Sequence, residues 1–203
     1  EPEREAAALV LSNPFDLAFA ADLIAQGAAP SATGLIDEAF RLADEGPGND
    51  SYRAKAGRPF PLVPFGRHAV EMREEDRNWL DAGEFEAERP SLLERRLLVR
   101  RAVRRATDET EDREMFRHDR VWDFFIAAAF RADAALLDAH LDDPRFRGAY
   151  LRIAETWPPE AAKAVRDLLV VNAARTNDNT TSNEFVRRLQ ARLRTPVSGV
   201  VVR

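Results

Sequence analysis

The stretch from Val121 to Ala132 sets the strongest limit on what this chain can fold into. Val121, Phe124, Phe125, Ala128 and Ala132 recur at helical spacing on one face, and Trp122, Ile126, Ala129 and Phe130 fill the neighbouring face. A helix apolar on two faces is stable only when it is covered on two sides. The run from Phe124 to Phe130 is also far shorter than the roughly 20 residues that cross a bilayer. The helix therefore belongs inside a packed, multi-helix body. A chain of 203 residues, 45% of them hydrophobic, has the material for such a core, and a domain of this size buries roughly 70% of the surface its unfolded chain exposes.

The charge balance narrows the function classes. With 30 Lys+Arg against 35 Asp+Glu the net charge is -5, the wrong sign for a general nucleic-acid coat, although a local basic patch stays open. The absence of cysteine excludes a disulfide framework, a Cys-based zinc site and a thiol nucleophile. Glu1-Pro2-Glu3-Arg4-Glu5 is acidic, unlike a signal peptide. The chain reads as soluble and cytoplasmic, with no membrane partner. It starts without Met and opens directly into a helical pattern, as a portion of a larger protein would.

Asn13-Pro14 reads as a helix start, because Asn accepts a first-turn N–H and Pro at the first helical position has none to leave unpaired. Leu17, Ala20, Ala21 and Ile24 follow on one face, and Gly27 offers a left-handed stop. A second helix is expected from a Ser31 cap through Leu35, Ile36, Ala39, Phe40 and Ala43 to Gly46-Pro47. Gly46 to Gly66 holds too many glycines and prolines for a regular element and reads as an ordered connection packed through Tyr52, Phe60, Leu62, Val63 and Phe65. Arg67 to Leu80 is weakly helical, and Pro90-Ser91 opens a short helix.

Arg95 to Arg105 carries six arginines. As a helix it would scatter them around the circumference; as a strand it places Leu97, Val99 and Val103 on one face, with Arg101 breaking the alternation. Thr107 to Asp112 then reads as a turn and Glu114 to His118 as a returning strand. Beyond the helix at 121–132, Asp143-Pro144 starts a further one, Pro158-Pro159 punctuates, Glu160 to Arg175 is helical, and Thr181 with Glu184 forms a capping box ahead of Phe185, Leu189 and Leu193. The tail Gly199 to Val202 reads as a strand or as the start of a continuation.

The fold class expected is mainly α: helical bundle subdomains flanking a winged-helix-like subdomain with a small β-hairpin. The divisions expected are a helical subdomain at 1–46, a Pro/Gly-rich connection at 47–66, the winged-helix-like subdomain at 67–132 and a C-terminal helical subdomain at 133–203.

No G-x-x-x-x-G-K-[ST] loop is present to cradle phosphates, so the chain should not hydrolyse nucleotides alone. G-x-S-x-G and H-E-x-x-H are absent too, and His68, His118 and His140 lie far apart. No catalytic constellation emerges, and no spacing supports a metal site. The arginine segment is the one feature that suggests nucleic acid, but the acidic stretch Asp108 to Glu114 can compensate it and no stacking aromatics interrupt it. Nucleic acid is therefore not the expected partner.

Phe116-Arg117-His118-Asp119-Arg120-Val121-Trp122-Asp123-Phe124-Phe125-Ile126-Ala127-Ala128 resembles the F-x-H-x-x-x-x-[DE]-F-[FL]-x-A-A signature that closes the winged-helix subdomain of NACHT-type STAND NTPases. Leu11-Ser12-Asn13-Pro14-Phe15-Asp16-Leu17 is similar to the part of the first helical subdomain where a proline precedes an apolar helix. The resemblance covers most of residues 4–130. It implies the helical and winged-helix regulatory part of a signalling ATPase whose upstream nucleotide-binding domain takes ADP or ATP with Mg, a part that folds back over bound ADP to hold the resting state and that ATP releases to permit oligomerisation. It implies that His118 contacts the β-phosphate and that Pro14 packs near adenine. Read without the resemblance, His118 is a cap at a strand–helix junction and Pro14 is an ordinary first-turn proline. The alternative functions are a free-standing helical protein–protein interaction module and a winged-helix DNA binder using Arg95 to Arg105.

Overall fold

A computed structural model describes residues 14–25, 34–47, 51–104 and 110–194. They form a mainly α fold with one small antiparallel sheet that contains the expected hairpin. The chain divides after Ala132 into two compact units.

The first unit opens with helices α1 (Pro14–Ala25) and α2 (Leu35–Glu45). Helix α2 is amphipathic, burying Leu35, Ile36, Ala39, Leu42 and Ala43, and the Gly46 N–H closes it on the Leu42 carbonyl at 3.0 Å. The caps expected at Asn13 and Ser31 and the stop at Gly27 lie outside the described residues.

The Pro/Gly-rich stretch departs from expectation, because it supplies two regular elements. A short helix α3 (Tyr52–Ala56) closes at Gly57, whose φ of 66° suits glycine. Helix α4 (Leu62–Glu74) then starts behind Pro61, with Pro64 in its first turn, where a backbone N–H has no partner within the helix. Gly66 sits in the helix interior for a different reason: a Cβ there would lie 2.4 Å from the Phe125 carbonyl oxygen. The breakers are thus start signals and a close-contact point. Tyr52, Phe60 and Phe65 join the core, with the Phe60 ring edge-on to Phe40 at 5.2 Å and Phe65 against Phe125 at 4.6 Å.

Helix α4 stops at Glu74, and Trp79–Leu80 is a short strand, β1, where a helical reading was expected. After α5 (Arg89–Glu94), strands β2 (Leu98–Arg104) and β3 (Thr110–Phe116) pair antiparallel, and β3 lies between β1 and β2. Thr110 to Asp112 therefore belong to a strand and not to a turn, while Arg117 and His118 lie beyond its end. The inward pair is Leu98 opposite Phe116; Val99, Arg101 and Val103 share the other face, where the two valines are half-buried. Leu97, expected beside those valines, is buried ahead of the strand and exchanges with the chain on both sides, donating to the Leu92 carbonyl and accepting from the Arg117 N–H.

Helix α6 (Asp119–Ala132) is the element on which the first unit converges. Every residue from Val121 to Phe130 except Ala128 is buried, as its two apolar faces require. Helix α4 lies along it, fastened by a buried Arg73–Asp123 ion pair at 2.6 Å, with the Arg73 guanidinium 4.3 Å above the Trp122 ring. The Trp122 indole N–H donates to the Ala69 carbonyl at 2.7 Å, so the polar atoms of this interface are satisfied.

The second unit is helical throughout its described length. Asp133 caps a helix absent from the expectation, α7 (Ala134–Ala139), by accepting the Leu136 N–H at 3.1 Å. Asp143 caps a single 3-10 turn (Pro144–Phe146) that leads into α8 (Arg147–Thr156). Helices α9 (Pro159–Thr176) and α10 (Thr180–Arg194) follow, and α10 packs against both α8 and α9. The expected capping box is replaced: Asp178 accepts the Thr180 N–H at 2.9 Å, and Glu184 turns to Arg187 and Arg188. Phe185 and Leu189 are buried while Leu193 is exposed. At the other end of α8, Arg192 donates to the Ala154 and Trp157 carbonyls, placing a cation where the helix end is negative. The Gly199 to Val202 tail lies outside the described residues.

Candidate functional site

His118 occupies the junction between β3 and α6, exposed to solvent. Its carbonyl accepts the Val121 N–H at 2.9 Å, and its Nδ1 accepts the Arg120 N–H at 3.1 Å, so it acts as the cap of α6. With Nδ1 accepting, the neutral ring carries its proton on Nε2, the tautomer that donates to an oxyanion. Pro14 is the first residue of α1 and is also exposed.

The two positions are linked through their neighbours. Arg120, in the first turn of α6, donates to both carboxylate oxygens of Asp16, in the first turn of α1. One turn and a half further along α1, Asp22 receives Arg96 at 2.6 Å and Arg117 at 3.0 Å, and the Arg117 guanidinium lies over the Phe19 ring at 5.3 Å. Two carboxylates in an otherwise apolar helix thus hold α1 against the end of the hairpin and the start of α6. The first turn of α1, which Pro14 begins, is thereby joined to the first turn of α6, which His118 caps. Asp16, Asp22, Arg117 and Arg120 were not among the expected site residues. Their sequence signal is faint: two acids interrupt the apolar helix, and their basic partners lie as far as 104 residues away.

Helix α1 has a second consequence. Phe19 and Leu23 face inward, while Pro14, Leu17, Ala18, Ala21, Ile24 and Ala25 form an exposed stripe without a charge, with Ile24 62% exposed.

Several arginines in and beside the hairpin are engaged with carboxylates. Arg96 holds Asp22, Arg100 holds Glu114 at 2.9 Å, and on the returning strand Arg113 holds Glu111 at 3.2 Å. Among the described residues, these pairs offset part of the arginine charge that would track a phosphate backbone.

His68 belongs to a separate cluster on α4 and the turn after β1. Its Nε2 lies 3.0 Å from Glu84 and its Nδ1 3.3 Å from Glu71, and Arg77 reaches Glu84 at 3.1 Å. Burial works against the Glu84 charge, but the Asp81 N–H, His68 and Arg77 outweigh it and hold that carboxyl below its ordinary range. His140 is buried in the second unit, with Nδ1 2.7 Å from the Leu136 carbonyl and its ring against Phe146. Among the described residues, no group of three His, Asp or Glu side chains is placed to hold a metal ion, and no helix is long and apolar enough to cross a membrane.

No protein-family model, curated protein or solved structure matches the chain.

Proposed function

We propose that this chain is the helical and winged-helix regulatory part of a STAND-type signalling ATPase, and that it clamps the nucleotide-bound resting state of an upstream nucleotide-binding domain. The observation that supports the reading is the Arg120–Asp16 contact, which joins the first turn of α1, the helix that Pro14 begins, to the first turn of α6, the helix that His118 caps. The Nε2–H tautomer of His118 suits a phosphate oxygen, and the apolar stripe on α1 suits a protein surface laid against it. A hydrogen bond from His118 to a charged phosphate contributes about 1.5–3 kcal/mol, which biases a two-state hinge by roughly tenfold or more. ADP favours the closed arrangement in this account; ATP with Mg releases it and permits oligomerisation.

The test is ADP affinity, measured by calorimetry on the chain joined to its nucleotide-binding domain. His118→Ala is expected to weaken ADP at least tenfold. ADP bound equally well by the variant contradicts the role.

A second reading, a helical protein–protein interaction module, draws on the second unit. There Leu168 and Val171 on α9, the latter 70% exposed, line a groove with Ala139 and Leu141. Binding of a partner protein that is indifferent to nucleotide would favour it.

A further inference from the structure

Both ring nitrogens of His68 meet carboxylates. The side chain, 13% exposed on α4, sets Nε2 3.0 Å from Glu84 and Nδ1 3.3 Å from Glu71. In His118 and His140, by contrast, Nδ1 is engaged with the backbone. A neutral imidazole has a single N–H to give, so a ring between two carboxylates donates to one and turns a lone pair on the other. The imidazolium donates to both, through charge-assisted bonds roughly twice as strong as neutral ones. The placement of the ring therefore favours its charged form.

The surrounding charges act in the same direction. Glu71 and Glu75 from α4 and its end gather here with Asp81 and Glu84 from the turn after β1. The guanidinium among them is that of Arg77, which reaches Glu75 at 2.9 Å, Glu84 at 3.1 Å and Asp81 at 3.2 Å. One guanidinium shared by three carboxylates leaves the cluster short of positive charge, and a proton on His68 supplies it. Arg89 from α5 also reaches this turn, but at the Asp81 carbonyl, and Arg73 of α4 is held by Asp123. Glu84 is a lasting anion: burial works against its charge, but the Asp81 N–H, His68 and Arg77 hold its carboxyl below the ordinary range.

The turn held by these groups needs an anchor. Residues 81–88 join β1 to α5, with Gly83 at a φ of 88° and Phe85 at a φ of 49°. The left-handed region costs a phenylalanine backbone energy, and such a conformation persists where its surroundings fix it. The Phe85 ring lies against Phe65 at 4.9 Å and against the His68 ring at 5.4 Å. The seat of Phe85 and the Glu84–His68 contact thus hold the same corner.

We infer that His68 is a proton-operated latch, which binds the turn at 81–88 to α4 when its ring is charged and slackens it when the ring is neutral. The charged ring bridges Glu84 of the turn and Glu71 of the helix; the neutral ring keeps one bond to Glu84, and the well-exposed Glu71 returns to solvent. Because the turn begins where β1 ends, the latch acts on the edge of the sheet and on the seat of Phe85. The stabilisation belongs to the charged ring, so it is present on the acid side of the interval in which histidine changes charge and is lost as pH rises through it.

The experiment is amide exchange of the chain by NMR at pH 5.5 and pH 8, expressed as protection factors so that the intrinsic pH dependence of exchange cancels, with the His68 ring nitrogens observed alongside. The inference predicts that amides of residues 82–88 are at least threefold better protected at pH 5.5 and that both His68 ring nitrogens carry protons there. His68→Gln, which can donate to Glu84 but cannot titrate, is expected to abolish the difference. Glu84→Gln, which can still accept the Asp81 N–H but carries no charge, is expected to reduce it. Equal protection at the two pH values, better protection at pH 8, a neutral His68 ring at pH 5.5, or a difference that survives in His68→Gln overturns the inference. The first three are read on the unaltered chain, so the test stands even where a variant unfolds.

Discussion

Single side chains in this protein are placed by charge as much as by burial. Glu184 is the clearest case: hydrogen bonds from Arg187 and Arg188 outweigh its slight burial and bring its carboxyl from an ordinary 4.5 down to about 2. Because the folded value is depressed, the contribution is present above the unfolded pKa, near 4.5, and is lost as pH falls toward 2. Glu184→Gln should therefore destabilise the chain by about 1 kcal/mol or less at neutral pH, since Arg187 is well exposed and solvent screens such pairs. Urea melts of the two proteins from pH 7 to pH 2.5 should show the difference shrinking below pH 4.5; a difference that grows on acidification contradicts the assignment. At this scale the sequence was partly legible. Thr181 and Glu184 fit a capping pattern, but whether a glutamate reaches back to its helix start or forward to arginines three and four residues on depends on which backbone groups Asp178 has already satisfied.

Elements were legible where one face decided them. The two apolar faces of α6 demanded cover on two sides, and its residues are buried accordingly. The stripe of α2 was equally plain. What could not be read was any feature whose cause sits on a distant element. Gly66 looks like a breaker in the sequence, yet it lies inside α4 because the Phe125 carbonyl leaves no room for a Cβ. This inverts the usual rule that glycine to alanine stabilises a helix interior by about 1 kcal/mol. Gly66→Ala is expected to destabilise the first unit by roughly 1–3 kcal/mol, the cost of forcing two packed helices apart, as measured by the midpoint of chemical unfolding. An increase in stability would show that α4 and α6 do not approach so closely. Strand β1 escaped notice for a simpler reason, since two residues show no alternation and only pairing with β3 makes Trp79–Leu80 a strand. The hairpin showed its alternation but not its inward side: with Leu97 and Leu98 both buried, only the Leu98–Phe116 pairing decides which face turns in.

At the scale of the molecule, the candidate site depends on a contact that spans most of the first unit. The pattern around His118 and the proline at the head of α1 were both visible locally, but their coming together rests on Asp16 and Arg120, whose pairing no local pattern announces. The same ion pair ties α1 to α6, and Asp22 ties it to the end of the hairpin, so α1 is held at two points. That gives the proposed clamp its logic, in which a phosphate at His118 and a protein face on α1 reinforce each other. The most direct test is hydrogen exchange, followed by mass spectrometry, on the chain joined to the proposed upstream nucleotide-binding domain and saturated with either ADP or ATP and Mg. The account predicts slower exchange over residues 14–25 and over the first turn of α6 with ADP than with ATP. Exchange in those two segments that is the same with both nucleotides, and the same as in the isolated chain, contradicts it.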